Sequence, residues 1–594
     1  MNDVQLRATV RTFHENTTQT LTGLRPYPTE QEVQDAAMVW KHRTHYETAA
    51  RANNPTAPVE LNEMERRALV NEVDHTFSER GMWIVILTSS QNGSNFFAFL
   101  WIDPKEGVDS RFSLANAAVY FSAAGLGCPL AAPLNSVCGR RGVIFIASFL
   151  ICAASLGSAA IPLDGKHGWA LLSGIRVIGG VGMGLKAVST PILAAETAVG
   201  YWRGSFVLVW QLWYVVSFGI MTSFIVNICL NGIHDPKLKL RLILGSPAIF
   251  ALALMLLKAF GSLMRLRNTK FQATRDLFLT HMGIEEEIML EQDARQRKAA
   301  KSNPSSTTII RYVVQYWEIL MTRRLRNAAV ASGVVALSQQ LSGINIMAFY
   351  GGSILVGSHP GQRLEGDKLH KAMVYNVIFG MLNFLFCLPA IRYIDSIGRR
   401  KTLLYTIPWM AVGLMAAALS IDRVKIEIVA FWIYFHTIWY SPGMGPVPFI
   451  LAAESFPLAF REAGASIAIA VNFLCAGILA WLHPLLTEKI KVSGTLGLFA
   501  GLNMVAMVLI FLLVEETGGV RLEALGLVFR EKKRDFMRFQ VCEFLPWLGK
   551  LFIRKSKLEN QPKWMVNCEQ VEEQGGVGVL GDEVVLEEEE RDVI

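Results

Sequence analysis

An all-α membrane protein, with twelve transmembrane helices in two six-helix pseudo-repeat halves, is the fold class that three observations on the 594-residue sequence predict. The chain is too apolar for a soluble multidomain protein, since 52% of its residues are hydrophobic, 18% are charged and the mean hydropathy is +0.33. Twelve apolar runs each approach the roughly 20 residues that a helix needs to cross a hydrocarbon core about 30 Å thick. Two unrelated motifs recur at nearly one spacing, which marks a duplicated unit.

Residues 1–81 form a charged segment expected in the cytosol. Its start, "MNDVQLRATVRTFHENTTQT", has no apolar core of a signal peptide, so the first apolar span directs insertion. The first half, 82–257, holds candidate spans at Met82–Ile102, Leu114–Leu134, Val143–Pro162, Trp169–Ala195, Gly204–Asn227 and Leu240–Leu257. The first is the weakest, because "SSQNGSN" fills its middle with small and polar residues. Residues 258–327 are a basic, helix-prone linker whose spaced apolar residues predict short helices at the membrane surface. The second half, 328–514, holds Ala328–Val356, Ala372–Ile391, Thr402–Ile421, Ile426–Ala453, Ala465–Leu486 and Thr495–Val514. Within Ile426–Ala453, "SPGMGPVPF" removes helix hydrogen bonds and predicts a hinge or gate. Residues 515–594 are a tail that ends in the acidic "GDEVVLEEEERDVI".

Orientation follows from lysine and arginine. With a cytosolic N-terminus, the linker, both Gly-Arg-Arg turns and "REKKRDFMRF" all face the cytosol, so both termini are expected there and the chain is expected in the plasma membrane. The net charge of +7 comes without a dense basic block interleaved with aromatics, which argues against nucleic acid as a partner. The eight cysteines fall singly and show no metal spacing. Neither a nucleophile elbow nor a phosphate loop is present, so neither enzyme activity nor a cofactor is expected. "RVIGGVGMG" has the glycine spacing of a nucleotide loop but lies in an apolar span, where small residues permit close helix packing.

The repeat is carried by two motifs. "NSVCGRRG" returns as "IDSIGRRK", with Gly139 matched by Gly398, and Glu196 with Arg203 returns as Glu454 with Arg461, each 258 positions on. Together with "SQQLSGINIMAFY", "SPGMGPVPFILAAESFPLAFR" and "EETGGVRLEAL", these residues resemble the sugar porter family of the major facilitator superfamily, especially its fungal members. The resemblance covers Gly139 to Leu525 and implies a major facilitator fold that moves a small polyhydroxylated solute across the lipid bilayer by alternating access. A membrane nutrient sensor that binds without transporting is the alternative, given the long head and tail.

A neutral, hydroxyl-covered solute calls for amide side chains that donate and accept in an apolar cavity. By resemblance, Gln211, Gln339, Gln340, Asn345 and Asn383 fall at substrate-contact positions, Phe449 at an aromatic that flanks the sugar, and Asn472 is a further amide candidate. Each amide can equally serve as a hydrogen bond between helices. The resemblance also implies an inner network of exchangeable ion pairs built from Arg140, Arg141, Glu196, Arg203, Asp395, Arg399, Arg400, Glu454 and Arg461, with Tyr350 as an outer-gate aromatic. Positive-inside anchoring is the other reading of the arginines. Ser136 stands where the second copy has Asp395, which predicts an asymmetric network.

Two departures bear on coupling. Arg176 matches the arginine that proton-coupled members pair functionally with an acid on the first span, yet no acid lies between Met82 and Ile102. The expectation is facilitated diffusion, or coupling of protons through another group. The Pro-Glu-Ser-Pro-Arg motif that follows the sixth span in the family is also absent from "LALMLLKAFGSLMRLRN".

Overall fold

The computed structural model describes residues 11, 30–41, 110–161, 168–197, 217–233, 235–249, 251–252, 308–356, 366–421, 423–457, 460–518 and 528–547, and every regular element among them is a helix. The first predicted span, Gln211, Arg203, most of the linker and the acidic end lie outside the described residues. A helix, α1 (Glu30–Lys41), precedes the bundle in the chain.

The second and third predicted spans join with no loop between them. α2 (Ser110–Ser122) passes through a π-helical turn at Ala123–Gly127 into α3 (Cys128–Ala160), and Gly139 alone breaks α3 (φ 67°, ψ 160°). α4 (Gly168–Thr197) crosses next, and its glycines explain its fit. A Cβ on Gly180 would lie 2.2 Å from the Val119 carbonyl oxygen, and one on Gly184 would lie 2.6 Å from that of Ala123. The "RVIGGVGMG" stretch therefore lets backbones meet. The fifth predicted span is represented by α5 (Ser217–Cys229), and the sixth by α6 (Pro236–Gly245), which begins earlier than predicted because Pro236 suits the first helical turn.

In the linker, α7 (Thr308–Met321) leads into the second half. The seventh predicted span is not continuous. α8 (Arg323–Leu341) and α9 (Ile344–Leu355) are separated at Ser342 and Gly343, where Gly343 takes φ 82°. The Ser342 carbonyl at this break accepts hydrogen bonds from His436 Nε2 (3.0 Å) and Asn503 Nδ2 (3.2 Å), so the break is tied down from two helices. α10 (Gly366–Cys387), α11 (Ala390–Ile397) and α12 (Arg399–Ser420) follow. The tenth predicted span is interrupted where its prolines and glycines stand, giving α13 (Ile426–Tyr440) and α14 (Val447–Glu454). α15 (Arg461–Leu513) contains both remaining spans and reverses at Lys491, the described non-glycine residue with positive φ (61°).

By length and composition, five stretches among the described residues suit a membrane crossing: Leu114–Ala160, Ala170–Ala194, Asp367–Cys387, Arg399–Ser420 and Arg461–Leu513. An apolar core unites α8 to α15 and takes in Ala194 of α4 and Ile220 and Phe224 of α5. A second core straddles the halves, where Tyr120, Cys128, Leu185 and Val188 meet Phe449, Ile469 and Phe473.

The first part of the tail is packed against the bundle. Phe529 is buried with Ile319, Leu325 and Phe456, and Asn327 Nδ2 donates to the carbonyls of Phe529 (3.0 Å) and Glu531 (2.7 Å). At the start of α16 (Lys533–Phe539), Lys533 Nζ donates to Glu515 Oε1 (2.6 Å) and to the Leu513 carbonyl (2.8 Å). Burial pushes the Glu515 carboxyl up and the Lys533 ammonium down, each opposed by the charge of the other.

Both Gly-Arg-Arg turns are one-residue hinges, for Gly398 takes φ 96° and ψ 157° between α11 and α12. This region of backbone space is essentially open to glycine alone and strains other residues by about 1–3 kcal/mol. The surroundings of the two hinges differ. A Cβ on Gly398 would lie 2.6 Å from Glu516 Oε2, whereas one on Gly139 would meet nothing within 4 Å. Gly398→Ala is thus expected to lower the melting temperature in detergent more than Gly139→Ala does. Equal losses would show that the contact with Glu516 does not matter.

Candidate functional site

Four of the seven predicted contact residues form one hydrogen-bond network. Adjacent on α8, Gln339 and Gln340 diverge, yet both meet Asn472 of α15. Gln340 Nε2 donates to Asn472 Oδ1 (3.0 Å), and Asn472 Nδ2 donates to Gln339 Oε1 (2.7 Å) and the Ala336 carbonyl (3.0 Å). Gln339 Nε2 turns toward the interrupted helix, contacting Tyr440 Oη (3.1 Å) and the carbonyls of Met444 and Gly445 (2.9 Å each). Asn345, just past the break at Gly343, donates to Gln340 Oε1 at 2.5 Å.

The amides consequently differ in capacity. Gln339 is buried and its amide is occupied by protein, so here it stitches α8 to α13, to the interruption that follows α13, and to α15. Asn345 is half-buried and, among the described residues, uses one amide proton and leaves Oδ1 without a partner. Asn383 stands apart from the quartet. Its Oδ1 accepts from Ser441 Oγ (2.8 Å) at the α13 interruption and from Ser217 Oγ of α5 (3.4 Å), while its buried Nδ2 has no acceptor among the described residues. A hydroxyl-bearing solute offers what such an amide lacks.

The aromatic candidates border this network on the seam between the halves. Phe449 is buried in the shared core with Phe473, and Tyr120 of α2 meets the rings of Phe349 and Phe473, each at 6.3 Å between centroids. On α9, Tyr350 stacks on His483 of α15 at 4.4 Å and 15°. Arg176 of α4 is buried and donates through Nη1 to the Ala115 carbonyl and Asn116 Oδ1, both at 3.3 Å, so α2 receives part of its charge.

Charges gather at the Gly-Arg-Arg end. Arg399 Nη2 pairs with Asp395 Oδ1 (2.7 Å) and Glu454 Oε1 (3.2 Å), all three side chains being largely buried. Glu516 Oε1 accepts from the backbone N–H groups of Arg399 (2.7 Å) and Gly518 (3.0 Å), capping the first turn of α12 where a carboxylate suits the helix dipole. Arg400 Nη2 donates to the Phe511 carbonyl (2.8 Å) and Gln540 Oε1 (2.9 Å), and its guanidinium lies 5.5 Å from the Phe511 ring centroid. Arg461 Nε reaches the Phe456 carbonyl at 3.4 Å.

The first copy is built differently. Arg140 Nη2 crosses to Glu462 Oε1 of α15 at 3.1 Å, joining the halves, while Arg141 is exposed. Ser136, in the place of the acid, donates instead to the Pro133 carbonyl at 2.8 Å. Glu196 lies in the last turn of α4. Sequence reasoning missed Glu462, Glu516 and His483. Glu462 adjoins the repeat residue Arg461, yet the position 258 earlier is Gly204, so the repeat could not flag it.

A family profile described as "Sugar (and other) transporter" matches residues 78–529. The chain is 25% identical over 524 residues to myo-inositol transporter 1 of Cryptococcus neoformans var. grubii, covering 81% of this chain and 87% of that one. It is 27% identical over 439 residues to probable polyol transporter 6 of Arabidopsis thaliana, covering 68% and 84%. Among solved structures, the proton:xylose symporter XylE of E. coli superposes with a TM-score of 0.57 at 19% identity, covering 76% of this chain and 98% of that one. That likeness shows the fold to be that of the major facilitator superfamily.

Proposed function

The chain belongs to the sugar (and other) transporter family, and from that premise we propose that its two halves carry a sugar or polyol across the bilayer by alternating access, binding it at the amides of α8, α9, α10 and α15. The observation that carries the reading is the network of Gln339, Gln340, Asn345 and Asn472 beside two interrupted helices. Amides at a backbone break can hold hydroxyls in an apolar setting and change partners when a half moves. The inositol and polyol transporters among the relatives favour a solute with many hydroxyls and no charge.

The inner network of Arg140, Arg399, Glu454 and Glu462 acts as the cytosolic tie between and within the halves. The Gly-Arg-Arg turns, exposed Arg323 and Arg326 and the docked Lys533 gather at one end of the bundle, which supports a cytosolic assignment for that end and for both termini at the plasma membrane. Twelve spans in halves 82–257 and 328–514, joined by the linker 258–327, fit the double-length stretches Leu114–Ala160, which runs through α2 and α3, and Arg461–Leu513 of α15.

The test is uptake of labelled hexoses, polyols and myo-inositol by yeast deficient in hexose transport. Saturable uptake above the vector control is expected, and it should persist with a protonophore because the first span lacks an acid. Binding with no uptake of any of these solutes would favour the sensor instead, and collapse with the proton gradient would overturn the facilitative mode.

A further inference from the structure

Helix α7 lies in the linker, outside the helices long and apolar enough to cross a membrane, yet one of its faces is strongly apolar and exposed. Val313 and Trp317 are each 63% exposed, with Val314, Leu320 and Met321 beside them. At 100° per residue these five side chains fill an arc of about 120°. The opposite face is fixed to the bundle. Ile319 is fully buried against Leu325, Ala328, Phe456 and Phe529. Tyr316 Oη stands 2.7 Å from Ser466 Oγ on α15 and 3.3 Å from the Pro129 carbonyl on α3, so one phenol touches both halves.

We propose that α7 is an in-plane anchor for the cytosolic leaflet: its Val313–Trp317–Leu320 face inserts among acyl chains, and Arg323 and Arg326 engage the phosphates of anionic phospholipids. Three features point to lipid as the occupant. The helix ends where α8, the first span of the second half, begins, which fixes its depth at the interface. Val330, two turns into α8, is likewise exposed. Arg323 and Arg326 are exposed at that junction, where each basic side chain near an anionic surface favours binding and a tryptophan suits the headgroup level. An amphipathic helix with this division of faces lies in the interface plane. Because Tyr316 contacts α3 and α15 together, a lipid that holds α7 in place also favours the arrangement in which the inner ends of the halves meet.

Hydrogen exchange of residues 308–321 tests this in the purified full-length protein, reconstituted in phosphatidylcholine vesicles with or without phosphatidylserine. Exchange should slow several-fold when phosphatidylserine is present. The double variant Arg323→Gln with Arg326→Gln should lose that increment while keeping the phosphatidylcholine level. Trp317→Ser with Val313→Ser should exchange faster in both vesicles. Melting temperature and elution in detergent identify any variant that has simply misfolded. In Tyr316→Phe, the lipid response of α7 should remain, whereas the response of segment 129–134 should disappear. Exchange indifferent to phosphatidylserine, or an unaltered response in the arginine double variant, would overturn the proposal. Protection that follows protein-to-lipid ratio rather than headgroup charge would assign the face to a second copy of the chain and equally overturn it.

Discussion

Replacing Arg399 by Met is expected to destabilise the protein by roughly 3–5 kcal/mol and to abolish uptake, since removal of one member of a buried ion cluster strands the others without compensation. Arg399 is 4% exposed and sits between Asp395 and Glu454, with the Glu516 carboxylate on its own backbone N–H. Arg399→Lys should recover part of the stability but little of the transport, because an ammonium cannot reproduce the geometry of a guanidinium held by two carboxylates. Arg140→Met is the matched comparison. Its partner Glu462 is reached across a partly exposed gap, where such a pair contributes only about 0–1 kcal/mol. Melting curves and uptake measured side by side check the contrast, and equal losses in the two Met variants would refute it.

Gln339→Leu should reduce the amount of folded carrier rather than its apparent affinity. The substitution leaves the Met444 and Gly445 carbonyls, Tyr440 Oη and Asn472 Nδ2 short of a partner, and each buried group left unmet costs about 1–3 kcal/mol. Asn345→Ala should do the reverse, raising KM with little change in melting temperature, because Asn345 is half-buried and retains unused hydrogen-bonding capacity. Uptake kinetics normalised to surface expression separate the two. A KM effect confined to Gln339 would exchange their roles.

The fold was legible because a hydrocarbon core imposes one demand on every span, and the family motifs carried the assignment further. What the sequence did not reveal depends on contacts between distant helices. The split of the seventh predicted span at Gly343 is favoured by His436 and Asn503, which lie 94 and 161 positions from the carbonyl they hold. Hydropathy alone cannot expose such a break, since "LSGIN" is as compatible with a continuous helix. By contrast, the interruption near Pro446 was legible because proline removes a donor wherever it stands. The amides were legible as a residue type, but which of them protein had already occupied was not. Nor did the matching "GRR" letters disclose that one hinge is pressed by a carboxylate and the other stands in open space.

The Arg140–Glu462 contact also sets a kinetic expectation. The half-hydrated Arg140–Glu462 pair joins the halves at 3.1 Å, while the contacts of Arg399 with Asp395 and Glu454 lie within the second half. A tie of at most about 1 kcal/mol changes a population ratio by about fivefold, and physiological salt screens it further. The share of this pair in holding the inner ends together is therefore small and dependent on ionic strength. The occupancy of each state is then open to any ligand that binds the two arrangements unequally, the solute among them.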